Sequence, residues 1–312
     1  MKPVHQVLIL SDSCETFLPQ LERYLEESKS PKLKFIHPKK VYRTDFKESD
    51  FILIDYEFYK ANKEVSELAF EFLDKLSMFA TLTDHEQLNQ ILKETKVSHL
   101  FGMSGTHTLN DIGNFLTYAV EKKFWNAETF ITPPITHQSH TKFENSENIE
   151  GQIQSAISHH DLTNTFEGFR PILEQILNES ITNALYNAPV DSEGKFLHRH
   201  VNRREVIHSA QNMAPTLDII EDADKIVLNI KDFYGTLTKD IIDHYLTHGK
   251  VAEKEGGAGV GLYLILKHAH KLVINIDHGN STEFIIVIHK FKRFFHYQVL
   301  EKSFHLFERK QS

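Results

Sequence analysis

The stretch Gly256-Gly257-Ala258-Gly259-Val260-Gly261-Leu262-Tyr263-Leu264-Ile265 decides how this chain is read. Four glycines run directly into an apolar helical pattern. With no Cβ in the way, such a backbone approaches a ligand closely. The helix that follows aims unpaired N–H groups and its positive dipole end at the same place, where phosphate is the usual occupant. Flexible loops and helix caps also produce glycine runs, so the reading depends on what accompanies this one.

Upstream, Ile172, Ile176, Leu177, Ile181 and Leu185 fall at helical spacing. Glu179 and Asn183 sit one turn apart on one face of that helix. A carboxylate and an amide stacked in this way can hold an attacking hydroxyl or water and a magnesium ion, which keeps water and phosphate oxygens as its other ligands. Taken alone, the pair is an exposed polar edge of an amphipathic helix. Lys225-Ile226-Val227-Leu228-Asn229-Ile230-Lys231 alternates and is β-rich, so it is expected as a strand ending in Asp232 and the turn residue Gly235. Lys271 to Ile276 and Phe284 to Ile288 are expected as paired strands, with Gly279, Ser281 and Thr282 in the turn between them.

In this order the four elements resemble the N, G1, G2 and G3 boxes of the GHKL ATPase superfamily, which includes gyrase B, heat-shock chaperones, histidine kinases and MutL. The resemblance covers roughly residues 151–290 and implies an α/β sandwich of the Bergerat fold. It implies ATP and magnesium as ligands, with Asn183 on the metal and Asp232 receiving the adenine amine. Gly257, Gly259 and Gly261 would wrap the phosphates, Gly235 would serve the adenine side, and Thr282 would support Asp232. Thr236 to Gly256 would be the mobile lid, from which Lys250 or Lys254 could reach a γ-phosphate. Glu179-Ser180-Ile181-Thr182-Asn183-Ala184 is most similar to the anti-sigma serine kinases, whose pattern is Glu-x-x-Thr-Asn-Ala. The resemblance thus gives Glu179 the role of general base on a protein serine; in gyrase, the chaperones and MutL the equivalent residue activates water.

The chain departs from the family pattern after Asp232, where Phe233-Tyr234-Gly235-Thr236-Leu237 moves one glycine and loses another. A segment from Lys195 to His208 is rich in Lys, Arg and His, and is read either as a solvated hairpin face or as a docking surface for an acidic protein. Ser158-His159-His160-Asp161 has the look of a phosphoacceptor histidine box. About twenty residues separate it from the Asn183 helix, too few for a dimerising helical hairpin at a rise of about 1.5 Å per residue. These histidines are therefore expected in a loop after a first strand at Gly151 to Ser158.

The first third of the chain is a separate unit. Val7 to Leu10, Leu33 to Ile36, Phe51 to Ile54, Ser77 to Leu82 and His99 to Phe101 are short apolar runs ending in polar or small residues, expected as buried parallel strands. Helical patterns at Phe17 to Leu25, Val65 to Leu73, Glu86 to Thr95 and Leu109 to Lys122 intervene. Alternation of this kind indicates an open parallel sheet with helices on both faces. Over residues 1–125 the order and strand ends resemble a response-regulator receiver domain, a flavodoxin-like fold. The resemblance places Asp55 at the phosphoacceptor position, Ser11-Asp12 at the acidic pair and Thr83 at the switch hydroxyl. Ser11 replaces an acid, and Gly102 stands where a receiver carries its lysine. A degenerate receiver used for docking or dimerisation is therefore expected, against a phosphorylated one or a flavodoxin-like domain without phosphate chemistry.

A chain of 312 residues suits two domains, here 1–125 and 151–312 with a linker at 126–150 that contains Pro133-Pro134. The segment Val299 to Phe307 is expected to pack on the second domain or to form an interface. Cys14 is the only cysteine, which excludes an internal disulfide and suits a reducing, cytoplasmic setting. No apolar run reaches the length of a membrane span, and Met1-Lys2-Pro3 leads into a strand without a signal-peptide pattern. A formal net charge of −8 argues against a nucleic-acid partner. The expected function is that of an ATP-binding signalling protein, a magnesium-dependent protein serine or threonine kinase or an anti-sigma-like regulator. Its partner would be a protein of the anti-anti-sigma kind, and a homodimer is compatible. The alternatives are an ATP-dependent switch or ATPase without kinase activity, and a histidine kinase acting in trans.

Overall fold

A computed structural model of the chain describes residues 4–27, 32–38, 40–82, 85–103, 106–210, 212–248 and 260–309. Thr83, Lys250, Lys254, Gly257 and Gly259 lie outside the described residues. The chain divides into two units, Met1–Trp125 with Glu301–His305 and Asn126–Leu300 with Leu306–Ser312.

In the first unit, β1 (His5–Leu10), β2 (Leu33–Ile36), β3 (Phe51–Asp55), β4 (Leu76–Ala80) and β5 (His99–Gly102) run parallel in the order β2-β1-β3-β4-β5. Val7 to Leu10 and Ile52 to Ile54 are buried throughout, as continuous apolar runs covered on both faces should be. The connections are α1 (Cys14–Glu27), α2 (Arg43–Glu48), α3 (Tyr56–Ala61), α4 (Lys63–Ala69), α5 (His85–Thr95) and α6 (Thr106–Val120). The order reverses between β1 and β3, the switch point at which open α/β sheets place their ligands. Beyond β5 a further strand runs antiparallel, pairing Phe304 with Leu100 and His305 with His99. Residues 301–305 therefore complete this sheet, whereas the flanking tail residues, up to Leu300 and from Leu306, belong to the second unit, as expected.

In the second unit, β6 (His137–Lys142), β7 (Thr216–Glu221), β8 (Lys225–Asp232), β9 (Lys271–Asp277) and β10 (Ser281–His289) pair antiparallel in the order β9-β10-β8-β7-β6. The helices are α7 (Ile149–Ser158), α8 (Phe169–Thr182), α9 (Lys239–His248), α10 (Val260–His268) and α11 (Phe294–Val299); the chain's last strand is β11 (Ser303–Arg309). Helix α8 buries Leu173, Ile176, Leu177 and Ile181 and packs against α7 and α10.

Two expectations fail here. Residues 151–158 form helix α7, not a strand. Ile153, Ala156 and Ile157 share its buried face, and the Asn148 side chain accepts from Gly151 N at the N-terminus. The expected linker 126–150 contains β6 and the start of α7. His-Gln-Ser-His-Thr-Lys has no apolar signal because β6 is an edge strand, held by its backbone ladder to β7. Ser139 of β6 also lies 3.0 Å from His160 Nε2, and His160 Nδ1 lies 3.0 Å from Glu221 Oε2. Lys290 Nζ reaches the other oxygen of Glu221 at 2.7 Å, so this carboxylate is buried but paired. His159 and His160 do lie in the connection between α7 and α8, as expected of a loop pair, with His159 exposed and His160 buried.

Candidate functional site

The row Glu179, Asn183, Asn187 runs along α8 into a π-helical turn, Asn183–Asn187. Asn187 Nδ2 donates to Asn183 Oδ1 at 2.7 Å and Ala188 N to the Asn183 carbonyl at 3.1 Å. A single wide turn of this kind re-aims side chains within an otherwise regular helix and is frequent at functional sites. Helix α10 arrives with Gly261 in its first turn. A Cβ at Gly261 would stand 2.5 Å from Glu179 Oε2 and 3.3 Å from Asn183 Nδ2. The glycine lets the start of α10 lie directly against the carboxylate and the amide. That helix end carries partial positive charge, which favours the anion beside it.

At the other side stands Asp232, the last residue of β8, directly across the ladder from Thr282 on β10. Asp232 Oδ1 accepts from Tyr234 N at 2.9 Å and Gly235 N at 3.2 Å, which folds the turn back on the strand end. Burial pushes the Asp232 carboxyl above the usual carboxylate range, against the opposing pull of its backbone donors and of Thr282. Although Thr282 is electrostatically coupled to this carboxylate, its buried Oγ1 makes no hydrogen bond of ordinary geometry. Gly235 has φ +60°, and a Cβ there would meet the Asp277 carbonyl oxygen at 2.2 Å. It holds the Asp232 turn against the β9–β10 turn and does not line the cleft, unlike the adenine-side role the sequence suggested.

Between these ends lies a cleft of about 810 Å³, counted to its open mouth. Asn183, Asn187, Asp232 and Thr282 supply polar groups, and Ile230, Leu262, Ile265 and Phe284 supply apolar wall. A mostly apolar cleft with a few convergent polar groups is the usual form of a small-molecule site. Asn183, Asp232 and Thr282, distant in sequence, line it together; Gly261 and Glu179 are outside the lining and stand against each other beside Asn183. Part of the expected lid is helix α9, whose Ile241 and Tyr245 form wall, and Thr236 Oγ1 donates to the Ala188 carbonyl at 3.0 Å. The expected phosphate contacts at Gly257, Gly259 and Lys250 fall outside the described residues.

Asn187, Phe196 and Arg199 also line the cleft, a place the sequence did not suggest for them. Asn187 continues the Glu179–Asn183 spacing by one further turn and was legible in principle. Phe196 and Arg199 come from an irregular loop, with the Arg199 guanidinium 3.8 Å from the centre of the Phe196 ring.

In the first unit Asp55 is already engaged. Its Oδ1 accepts from Glu57 N at 2.9 Å, capping α3, and its Oδ2 accepts from Ser11 Oγ at 3.1 Å. At the end of β5, Gly102 N donates to Ser303 Oγ at 3.0 Å, and a Cβ on Gly102 would meet the Lys302 carbonyl oxygen at 2.3 Å. A side chain at this position has no room, which explains the glycine where a lysine was sought. Burial pushes the Lys302 amine down to about 8.

No family model and no curated protein matches the chain. Among solved structures it is similar to a fungal multi-domain GH3 beta-N-acetylglucosaminidase with a GCN5-related glucosamine N-acetyltransferase region. The TM-score is 0.28 and the identity 8%, over 85% of this chain and 28% of that one. It is also similar to CapF with the inhibitor 3-isopropenyl-tropolone, with a TM-score of 0.23 and 10% identity over 74% of each chain. Likenesses this slight carry no argument about fold or function. No described helix is long and apolar enough to cross a membrane.

Proposed function

We propose that the second unit is a GHKL-type ATP-binding module and that the chain is a magnesium-dependent protein serine or threonine kinase. The carrying observation is the cleft itself. Asn183 and the buried Asp232–Thr282 pair line it together, and Glu179, one turn before Asn183 on the same helix, stands against the first turn of α10.

The residues present fit such a ligand. Asp232 keeps an oxygen beyond its turn contacts to accept from an adenine amine, and Thr282 has a buried hydroxyl to complete the base edge. Ile230 and Phe284 give the ring an apolar seat. Asn183 Oδ1, already oriented by Asn187, retains a lone pair for magnesium, which when bound would neutralise charge on the phosphates. Glu179 would take the proton of the acceptor hydroxyl as its oxygen bonds to the γ-phosphorus and the bond to the ADP oxygen breaks. Backbone N–H groups at the start of α10 would stabilise the charge on the transferring group.

The first unit is assigned to docking, as a receiver-like domain that does not take phosphate. Both Asp55 oxygens already accept hydrogen bonds, and Gly102 leaves no space for a cationic partner.

Calorimetry with a non-hydrolysable ATP analogue and magnesium tests the module: wild type binds, and Glu179→Ala binds comparably while losing phosphate transfer. Absence of heat with wild type ends the proposal. Incubation with labelled ATP separates kinase from switch, since free phosphate without a labelled protein favours the ATPase reading.

A further inference from the structure

A second cavity lies beside the first, sharing Asn187, Arg199, Ile241 and Tyr245 as wall. It is broader, about 1360 Å³ to its open mouth. Its chemistry is the opposite of the chain's: Arg199, Arg203, His198, His200 and His244 line it, with Asp240 as the only carboxylate among its described lining residues. The formal net charge of the whole chain is −8. The two guanidiniums, Arg199 and Arg203, gathered into a concave wall of an acidic protein, repel one another unless an anion sits near them.

The wall is also built. Tyr186, buried in the π-helical turn, points its hydroxyl at the Arg203 and Glu205 carbonyls at 3.4 and 3.2 Å. That fixes the loop bearing Arg203 to the helix bearing Asn183 and Asn187. Val201 N donates to the His198 carbonyl at 3.0 Å and Leu197 N to the Pro189 carbonyl at 3.0 Å, so His198, Arg199 and His200 project from closed turns, while His244 comes from α9. The Phe196 ring holds the Arg199 guanidinium at 3.8 Å. Holding the cations in place before a ligand arrives reduces the ordering cost of binding.

We infer that this cavity is a binding site for a phosphomonoester, distinct from the nucleotide cleft. Two guanidinium forks match phosphate oxygens in pairs. Imidazole N–H groups of His198, His200 and His244 can donate to the remaining oxygens of a group bearing about −1.5 to −2 at neutral pH. The volume admits a phosphate with its carrier attached, so the source is either a free small phosphate ester or a phosphorylated side chain. The inference does not require that ATP occupy the neighbouring cleft.

Titration of the full-length chain by calorimetry, without nucleotide, uses inorganic phosphate, O-phosphoserine, a phosphoserine peptide and the same peptide unphosphorylated. Phosphate and phosphoserine are expected to bind at concentrations up to about 10 mM. A tighter phosphopeptide identifies a protein source, and equal affinity of phosphoserine and phosphopeptide identifies a small-molecule source; both support the site. Arg203→Ala, an exposed position, should weaken each phosphate ligand by about tenfold or more, with Arg203→Lys recovering part of the loss. His244→Gln should weaken them as well, independently of the loop. ATP-analogue affinity in Arg203→Ala should stay within about twofold of wild type. Absence of phosphate binding, or phosphate binding untouched by both variants, overturns the inference. So does phosphate binding abolished by saturating ATP analogue, which would make the cavity part of the nucleotide cleft. Phosphate binding without any ATP binding would remove the proposed function and leave this site standing.

Discussion

Replacing Gly261 by alanine separates the catalytic reading of Glu179 from a merely architectural one. The new Cβ would stand 2.5 Å from Glu179 Oε2, and ordinary contact begins near 3.4 Å, so the carboxylate must retreat by about 0.9 Å. The obstructing atom is the end of a flexible side chain, and moving it off its rotamer costs about 0.5–1.5 kcal/mol. Alanine recovers up to about 1 kcal/mol of helix propensity in α10. The two nearly cancel, leaving stability within about 1 kcal/mol of wild type, or some 2–4 °C in unfolding midpoint. Asn183 Nδ2, at 3.3 Å, has to yield only slightly, so nucleotide affinity should change little. Turnover should not survive in the same way, because a misplacement of about 1 Å at a reacting group costs roughly a hundredfold. Thermal unfolding by circular dichroism reads the first quantity. Turnover of labelled ATP, counting free phosphate and labelled protein together, reads the second. Wild-type turnover with an unchanged midpoint would show that the position of Glu179 is immaterial to the chemistry. A midpoint lowered by more than about 10 °C would show that the contact is packing above all.

Asp232→Asn should raise stability at neutral pH while weakening adenine-nucleotide binding by about tenfold or more. The folded carboxyl titrates above its unfolded value, so its favourable share of stability is complete below the unfolded pKa of about 3.9 and lost as pH rises through the folded one. Denaturant unfolding should therefore show the variant's advantage shrinking as pH falls; an advantage independent of pH would contradict the assignment. Lys290→Met strands the buried Glu221 carboxylate with only His160, His137 and a backbone N–H nearby. A loss of about 3–5 kcal/mol is expected in urea unfolding, and a loss under about 1 kcal/mol would mean that these remaining partners suffice for that charge.

Legibility in the sequence followed burial. Strands β1 and β3 were visible because strands covered on both faces must be apolar throughout, as Val7 to Leu10 are; β2, at the sheet edge, is only half-buried yet mostly apolar. Helices α2 and α3 were not, since six residues give too little periodicity to stand out. Strand β6 was hidden for the opposite reason: an edge strand needs only its backbone partners, so its side chains can be wholly polar. Residues 151–158 were ambiguous because Ile153, Ala156 and Ile157 are too few to distinguish the periods, and the Asn148 cap decides the matter. In the site, Asn183, Asp232 and Thr282 were picked out by their likeness to family boxes, and the fold gathers them about one cleft, Thr282 from within β10 and not from the turn expected for it. Phe196, Arg199 and the histidines around them come from a loop whose path depends on contacts such as Tyr186 to Arg203, and no spacing rule anticipates those.

The return of residues 301–305 to the edge of β5 means that the first unit is not one continuous segment of chain. About 175 residues separate Trp125 from its closing piece. At a synthesis rate of about 5–20 residues per second, a nascent chain waits roughly 10–35 s with that sheet margin bare. During this interval the open edge is a template for any other extended polypeptide, and chaperone occupancy would be concentrated there. Excising residues 1–125 as a free-standing piece would make that temporary vulnerability permanent, so a stable fragment should carry the closing strand grafted behind Trp125.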